Sequence, residues 1–228
     1  MPIPRIIEVR TKILKKNDEL ARDMREQFRD AGVLVVNLVS SPGAGKTTLL
    51  TKTLSRIRQS GQQAAAIVGD LETDNDAKRL SESGVPVRQI MTHGCCHLEA
   101  DMVQEHLHDW DLSQLDYLFI ENVGNLVCPT SWDLGESLRV VLMSVTEGED
   151  KPQKYPGLFN TADLALITKT DLAIPCEFDR VTALSKIDAV RPGIPVIETS
   201  SKNEDGFDVW LEYLRRAQSR TNDSSLPR

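Results

Sequence analysis

An apolar run, a glycine-containing loop and a helical pattern follow one another in residues 33–50, and this order strongly constrains the fold. The segment reads VLVVNLVSSPGAGKTTLL, which predicts a buried strand, a tight loop and the start of a helix. Such a loop binds phosphate because its backbone N–H groups and the helix N-terminus point at the anion. The segment matches the pattern G-x-x-x-x-G-K-[ST], except that Ser40 replaces the first glycine. It therefore predicts a nucleoside triphosphate site.

The loop also supplies candidate ligands for the phosphates and for a magnesium ion. We expect the ammonium group of Lys46 to reach the β and γ oxygens and the hydroxyl of Thr47 to ligate Mg²⁺. The predicted nucleotide contacts of this loop are Gly43, Ala44, Gly45, Lys46, Thr47 and Thr48.

Short apolar runs alternate with helical patterns along the rest of the chain. Several of the predicted strands are apolar throughout, as expected when helices cover both faces of a parallel sheet. This predicts an α/β fold: a single P-loop NTPase domain with a doubly wound, mainly parallel sheet of about seven strands, flanking helices and an N-terminal helix. The predicted strands are 33–40, 63–70, 87–92, 117–123, 139–145, 164–170 and 195–200, and the predicted helices are 6–30, 46–59, 74–83, 98–108, 177–189 and 206–217.

The predicted organisation has three parts, and the overall composition restricts the partners. Residues 1–30 form a helix packed on the domain, residues 31–218 form the nucleotide-binding domain with an inserted metal site, and residues 219–228 form a disordered polar tail. A net charge of −7 argues against a nucleic-acid or anionic membrane surface. The chain has no 18-residue apolar stretch and no signal-peptide pattern. Four cysteines among 228 residues suit free thiols in a reducing cytoplasm better than a disulfide framework.

Two segments near the C-terminus indicate that the base is guanine. Residues 168–171 read TKTD, close to the N-K-x-D element of GTPases, with Thr168 in place of the asparagine. Asp171 can accept hydrogen bonds from guanine N1–H and N2–H₂, a donor pair that adenine lacks, and the stem of Lys169 can lie along the base. The segment TSSK at 199–202 is similar to the loop that presents a backbone N–H to guanine O6, which makes Ser200, Ser201 and Lys202 further candidates.

Acidic residues at the ends of two predicted strands are candidates for magnesium coordination and catalysis. Glu121 and Gly124 form an E-x-x-G in place of the common D-x-x-G. We expect Glu121 to ligate Mg²⁺ directly or through water, and Gly124 to offer a backbone N–H to the γ-phosphate. Asp70 and Asp76 can coordinate the metal or position the attacking water; alternatively, Asp76 is an ordinary acid in a first helical turn. Predicted catalytic residues are Lys46, Asp70, Asp76 and Glu121, and the predicted magnesium ligands are Thr47, Asp70 and Glu121. No arginine finger is evident in the sequence.

A cluster of cysteine and histidine residues predicts a second kind of metal site. Residues 93–97 read HGCCH, and thiolate with imidazole suits Ni²⁺ or Zn²⁺ rather than Mg²⁺. Cys96 and His97 need a ligand from another segment, for which Cys128, seven residues after Glu121, is the candidate. Cys95 is either a ligand or a core residue, His93 either completes the site or faces solvent, and Cys176 is expected to serve packing or an interface.

The order of these motifs resembles that of the hydrogenase maturation nickel-insertion GTPases, the HypB family of the SIMIBI class of P-loop GTPases. The resemblance covers residues 5–217 and rests on the segments SSPGAGKTTLL, GDLETDNDAKR, GCCHLEADM, FIENVGNLVCPTSWDLGE, SVTEGEDKPQKYP and TKTD.

The resemblance implies a cytoplasmic GTPase that works as a GTP-dependent homodimer and delivers nickel to the precursor of the [NiFe] hydrogenase large subunit. Its implied partner is a small nickel-binding maturation protein like HypA, and its implied cofactors are GTP, Mg²⁺ and Ni²⁺ or Zn²⁺. The implied metal ligands are Cys96, His97 and Cys128, at a dimer interface. Separately, the apolar residues Leu172 and Ile174 beside TKTD are candidates either for a dimer surface or for core packing. Cys95 is an additional thiol beside the expected Cys-His pair.

Three alternatives differ from this hypothesis in function. A regulatory module with a structural zinc site would hold its metal in a closed, four-ligand geometry that ignores GTP. The related urease nickel-insertion GTPase would carry a Cys-Pro-His element, whereas this chain has Cys128-Pro129-Thr130. A small-molecule P-loop kinase would need an arginine-rich lid, which the sequence does not show.

Overall fold

The computed structural model describes residues 5–70 and 75–222 of the chain, with side chains from residue 11 onward. Its helices are α1 (Arg5–Asp30), α2 (Lys46–Gln59), α3 (Asn75–Ser81), α4 (Ala100–Glu105), α5 (Lys151–Lys154), α6 (Pro156–Thr161), α7 (Arg180–Val190) and α8 (Phe207–Asn222). Its strands are β1 (Leu34–Ser40), β2 (Ala64–Asp70), β3 (Val87–Met91), β4 (Tyr117–Glu121), β5 (Leu138–Ser144), β6 (Leu164–Thr168) and β7 (Val196–Glu198). Within these ranges, no helix combines the length and apolarity that crossing a membrane requires.

The seven strands form one sheet in the order β3-β2-β4-β1-β5-β6-β7, and every neighbouring pair is parallel. This confirms the predicted doubly wound α/β fold. The chain runs from β1 towards one edge through β2 and β3, and later towards the other edge through β5, β6 and β7. The order therefore reverses around β1, and ligands of such sheets bind beyond the carboxyl ends of the strands at this reversal.

Strand β1 lies at the centre of the sheet, and all seven of its residues are buried. Val36 and Leu38 face a cluster that includes Trp210 of α8, whereas Val35 faces a cluster that includes Phe28 of α1. Because helices cover both faces, successive residues of β1 are apolar instead of alternating with polar ones. Burying each large apolar side chain contributes about 1.5–3 kcal/mol, which fixes the strand that leads into the phosphate loop.

Helix α1 packs against the sheet through Ala21, Met24 and Phe28, and Asn17 connects it to two loops. The Asn17 side chain, only 7% exposed, donates from Nδ2 to the Asp133 carbonyl at 2.8 Å. It also accepts a hydrogen bond from the backbone N–H of Ala100 at 2.9 Å. Arg25 adds an ion pair with Asp133 at 2.5 Å. The helix thus braces the segments that follow His97 and Cys128.

Three predicted helix boundaries differ from the structure by three residues or more. The helix predicted from residue 177 begins at Arg180, because Asp179 caps it by accepting from the Thr182 N–H at 3.0 Å. The helix predicted over 98–108 spans only Ala100–Glu105. Helix α8 continues to Asn222, so the first four residues of the stretch predicted to be disordered are helical, and residues 223–228 lie outside the described part of the chain.

Candidate nucleotide and metal site

The phosphate loop connects β1 to α2 and has the backbone that its glycines allow. Gly43 and Gly45 adopt left-handed conformations with φ of 76° and 97°, which a residue with a Cβ rarely adopts. The Lys46 ammonium donates to the Ser40 hydroxyl at 2.8 Å. Ser40, the departure from the consensus pattern, therefore holds the lysine in place beneath the loop. Burial lowers the pKa of Lys46, and the nearby carboxylate of Glu121 partly opposes this effect.

Glu121 ends the neighbouring strand β4 and faces the start of α2. Its Oε1 accepts from the Thr47 hydroxyl at 2.7 Å, while its buried Oε2 has no hydrogen-bond partner in the part of the chain that the structure describes. Burial raises the pKa of this carboxyl to about 7. An unpartnered buried oxygen beside a threonine hydroxyl fits a hard cation, since Mg²⁺ takes oxygen ligands. The residues present therefore fit the predicted magnesium site.

A cleft of about 430 Å³ lies above these groups, within the range of roughly 300–1,000 Å³ typical of small-molecule sites. Gly124 lines it and passes so close to the loop that a Cβ there would lie 3.1 Å from Pro42. Of the sequence-predicted residues, the cleft brings together Gly43, Gly45, Lys46, Thr47, Thr48, Asp70, Asp76, Glu121, Gly124 and Lys169. Ala44, between these two glycines of the loop, is fully buried.

Arg79 also lines the cleft, and sequence reasoning missed it. Its guanidinium donates to the Thr48 hydroxyl at 2.9 Å and lies 3.8 Å from the Asp76 carboxylate, three residues earlier on α3. The spacing of Asp76 and Arg79 on one helical face was the available signal. The arrangement places a cation of this chain beside the site expected to hold phosphate.

The TKTD segment is tied to the phosphate loop at two points. The Thr168 hydroxyl donates to the Ala44 carbonyl at 2.7 Å, and the Lys169 ammonium donates to the Gly43 carbonyl at 2.6 Å. Lys169 has a left-handed backbone with φ of 58°. Thr168, which departs from the expected asparagine, thus still links the TKTD segment to the phosphate loop.

The TSSK segment contacts the TKTD segment through a hydrogen bond. The Ser200 hydroxyl donates to Asp171 Oδ1 at 2.6 Å, and Ser200 also accepts from the Lys202 backbone N–H at 3.1 Å. Ser200 is fully buried, Ser201 is partly buried and Lys202 is exposed. These residues do not line the phosphate cleft, but the bond from Ser200 fixes one oxygen of the carboxylate expected to recognise guanine.

The predicted cysteine and histidine ligands meet beyond the carboxyl ends of the strands, as the cleft residues do. Cys96 Sγ lies 2.7 Å from Cys128 Sγ and 3.9 Å from His97 Nδ1, and the three residues form a group able to hold a metal ion. The His97 ring stacks on Trp132 with centroids 4.4 Å apart. Burial lowers the pKa of His97, which favours the neutral imidazole that a metal requires.

The protonation of the thiols follows from their proximity. The contact between Cys96 and Cys128 is the main cause of the raised pKa of Cys96, and burial adds to it. All four cysteines are free. Two sulfurs bound to tetrahedral zinc lie about 3.8 Å apart, so metal binding would deprotonate and separate this pair.

The remaining candidates near these sites have different surroundings. His93 is exposed and has a left-handed backbone with φ of 48°. Cys176 is exposed rather than packed in the chain, and Ile174 is 91% exposed. Cys95 is not a core residue, since it is partly exposed and lies against His97.

A buried polar network connects the nucleotide side to both metal-binding loops. The Asn122 side chain accepts from the Leu98 N–H at 3.3 Å and donates to Asn37 Oδ1 at 3.4 Å. Asn37 donates to Glu136 at 3.1 Å, and Glu136 accepts from Arg139 at 2.7 Å.

The far end of this network reaches the loop that carries Cys128. Arg139 donates to the Trp132 carbonyl at 2.9 Å, and Trp132 is the residue on which His97 stacks. The network therefore begins at Asn122, next to Glu121, and contacts the segment that follows His97 and the segment that follows Cys128. Sequence patterns could not reveal it, because its members are single polar residues within or beside apolar strands.

Comparison with known proteins identifies the family of this chain. Residues 34–198 match the model of the CobW/HypB/UreG nucleotide-binding domain. The hydrogenase maturation factor HypB of Escherichia coli K12 is 47% identical over 210 residues, which cover 92% of this chain and 72% of that protein. The chain belongs to the HypB family. The hydrogenase/urease maturation factor HypB of Helicobacter hepaticus is 41% identical, over 93% of this chain and 89% of that protein.

Solved HypB structures have the same fold. HypB from Helicobacter pylori in complex with nickel is 37% identical with a TM-score of 0.84, covering 93% of this chain and all of that one. HypB from Archaeoglobus fulgidus is also 37% identical, with a TM-score of 0.83 over 90% of this chain and 99% of that one. Family membership makes the domain a P-loop nucleotide-binding domain, as the loop geometry indicated.

Proposed function

We propose that this chain is a GTP-hydrolysing nickel metallochaperone that delivers Ni²⁺ to a hydrogenase precursor. One observation carries the proposal: strand β4 ends in Glu121 at the nucleotide cleft, and the same chain continues within seven residues to Cys128 at the cysteine–histidine group. A change in nucleotide contacts at the first position can therefore alter ligand geometry at the second. The nickel complex of the Helicobacter pylori HypB supports nickel as the cargo.

The base-binding segments favour GTP over ATP. Ser200 holds one oxygen of the Asp171 carboxylate, which orients the group to accept from guanine N1–H and N2–H₂. A carboxylate rejects adenine because adenine places a ring nitrogen that only accepts hydrogen bonds where guanine places its donors, and the carboxylate cannot donate to that nitrogen. Asp171→Asn should therefore weaken GTP binding by about tenfold or more and leave the ATP affinity unchanged, as measured by competition with a fluorescent GDP analogue.

Hydrolysis would convert GTP and water to GDP and phosphate, with the charges of this chain placed around the phosphates. Lys46 holds the β and γ oxygens, and Thr47, Asp70 and Glu121 would hold Mg²⁺, which neutralises the charge that develops on the phosphate oxygens. Asp70 or Asp76 orients the attacking water. The backbone N–H of Gly124 meets the γ-phosphate, so phosphate release frees the segment 121–128.

The buried network explains how this movement reaches the metal. Asn122 follows Glu121 directly, and its side chain holds the Leu98 N–H next to His97. A shift of Asn122 would pull on that segment while the chain beyond Gly124 moves Cys128. GTP binding would thus set the ligands Cys96, His97 and Cys128 in one geometry, and hydrolysis would relax it and release nickel.

We extend the proposal to the assembly and partners. The exposed Ile174 and the partly exposed Leu172 form an apolar surface beside the TKTD segment, which suits a homodimer formed with GTP bound. A HypA-like nickel-binding protein would supply the metal, and the hydrogenase large-subunit precursor would receive it. Ile174→Glu should keep the chain monomeric with a GTP analogue in analytical ultracentrifugation. A dimer of unchanged stability would exclude this surface as the interface.

The decisive experiment is a Ni²⁺ titration of metal-free protein with GDP and with a non-hydrolysable GTP analogue. We expect different affinities in the two states and no difference in Cys128→Ala, which should still bind GTP. The exposed Cys176 offers a matched control, since Cys176→Ala should preserve the difference. Equal wild-type affinities would refute nucleotide gating. A closed zinc site that neither exchanges nor responds to GTP would favour the regulatory-module alternative.

A further inference from the structure

Cys95 and Glu99 lie on either side of His97, outside the ligand set already assigned. Cys95 Sγ is 3.5 Å from His97 Nδ1 and 3.7 Å from Nε2. The Glu99 carboxylate is 3.4 Å from Nε2. These three side chains form a second group whose ligand atoms all lie close enough to share one ion.

We propose that Cys95, His97 and Glu99 form a second binding site for a divalent metal ion, which shares His97 with the site of Cys96 and Cys128. The proposal rests on the proposed function only for the identity of the metal as nickel. Metal binding by the second set does not require that the first set be occupied.

The distances match those of a metal coordination shell. In a tetrahedral zinc site, the edge between sulfur and nitrogen ligands is about 3.5 Å and the edge between nitrogen and oxygen ligands about 3.3 Å. The corresponding separations here are 3.7 Å and 3.4 Å, so His97 Nε2 needs little rearrangement. By contrast, Cys96 and Cys128 must move apart before both can bind one tetrahedral ion.

The Glu99 side chain contacts His97 rather than the helix that it precedes. It occupies the N-cap position of α4, where an acidic side chain could accept a hydrogen bond from the helix, yet it makes no such bond. The carboxylate instead faces His97, with the two side chains 27% and 13% exposed. A half-buried acid turned from its cap towards an imidazole suits a metal ligand.

The loop fixes the other two ligands before any metal arrives. The Cys95 carbonyl accepts from the Thr92 hydroxyl at 2.6 Å, and the Cys95 N–H donates to the Thr92 carbonyl. The His97 ring is stacked on Trp132. Ligands held in this way lose less conformational freedom on binding, which increases affinity.

The two ligand sets differ in chemistry and therefore in metal retention. The first offers two thiolates and an imidazole, whereas the second offers one thiolate, an imidazole and a carboxylate, which is a harder donor. The two sets approach different nitrogens of His97, since Cys96 lies nearest Nδ1 and Glu99 lies near Nε2, so an ion leaving the thiolate pair can be taken up by Cys95 and Glu99 on the other side of the same imidazole. The second set would thus act as an exit position with weaker retention of nickel.

The test isolates the second set in the variant Cys96→Ser/Cys128→Ser, whose remaining thiols are Cys95 and Cys176. Reduced, metal-free protein would be titrated with Co²⁺ and with Ni²⁺, with the thiolate-to-metal absorption band and competition against a chromogenic chelator as readouts. We expect one equivalent of metal and a band from a single thiolate. Adding Cys95→Ser should abolish the band, adding Glu99→Gln should weaken binding at least about tenfold, and adding Cys176→Ser should change neither.

Absence of the band from the double variant, its persistence after Cys95→Ser, or unchanged affinity after Glu99→Gln would overturn the inference. GDP binding by each variant verifies that the domain is folded. The wild-type nickel titration of the proposed function is a separate measurement, so the failure of one proposal is distinguishable from the failure of the other.

Discussion

The buried carboxyl of Glu121 should make the stability of the nucleotide-free protein depend on pH. Its pKa rises from 4.5 to about 7 on folding, mainly through burial. Each pKa unit corresponds to about 1.4 kcal/mol, so the full effect is about 3 kcal/mol. The native state keeps the proton to a higher pH than the unfolded chain does. The free energy of unfolding therefore falls as pH rises from about 4.5 to about 7, and the cost is absent below this window and complete above it.

Urea denaturation of wild type and Glu121→Gln, without nucleotide or Mg²⁺, measures this effect. Glutamine keeps an acceptor for Thr47 but does not titrate, so only the wild type should lose stability as pH rises. The free energy of unfolding of the variant, minus that of wild type, should therefore increase by about 2 kcal/mol from a pH of about 5.5 to a pH of about 8. The exposed Glu82 supplies the control, and Glu82→Gln should follow the wild-type curve. Parallel curves for wild type and Glu121→Gln would refute the reasoning, since burial would then not hold a proton on this carboxyl.

Three further predictions concern groups described above. Arg79→Ala should reduce kcat for GTP hydrolysis by roughly 10- to 100-fold with little change in GDP affinity, because Arg79 lines the phosphate cleft; an unchanged kcat in a phosphate-release assay would exclude that role. Glu136→Ala should lower the free energy of unfolding by about 3–5 kcal/mol, because the buried guanidinium of Arg139 would lose its carboxylate partner. A loss under 1 kcal/mol in urea denaturation would contradict this. Gly206→Ala should destabilise strongly, because its Cβ would lie 1.9 Å from the Glu198 carbonyl oxygen; Gly193→Ala, also at positive φ but in open space, should cost only about 1 kcal/mol, and equal thermal shifts would count against the steric explanation.

The sequence predicted the fold because its strongest signals are local. The apolar strands, the phosphate loop and the helical periodicity each occupy one short segment, and β1 and α2 begin within one residue of their predicted positions. The boundaries of α4 and α7 were less accurate, because capping and turn geometry decide them. The capping role of Asp179, for example, depends on a backbone bend that periodicity does not encode.

The contacts that connect the candidate site residues could not be predicted from the sequence. The cleft and the cysteine–histidine group bring together most of the residues singled out from motifs, while their chemical roles stay predictions. A consensus pattern treats Ser40 and Thr168 as mismatches, yet Ser40 contacts Lys46 and Thr168 contacts Ala44. Arg79 was missed although its spacing from Asp76 was visible, because its contact with Thr48 exists only in the folded chain. The Asn122 network was missed because Leu98 and Asn37 are distant from Asn122 in sequence.

Asn17 makes the N-terminal helix inseparable from the domain that it covers. Its one side chain bonds the loop after Cys128 and the first turn after His97, so both metal-bearing segments rest on α1. An expression vector that starts the protein at Val33, at the apparent edge of the nucleotide-binding domain, would expose Val35 and the rest of that apolar cluster to solvent. Such a shortened protein would lose part of its core together with the support of both metal-bearing segments, so domain limits drawn from the nucleotide motifs alone would discard the helix that holds these segments.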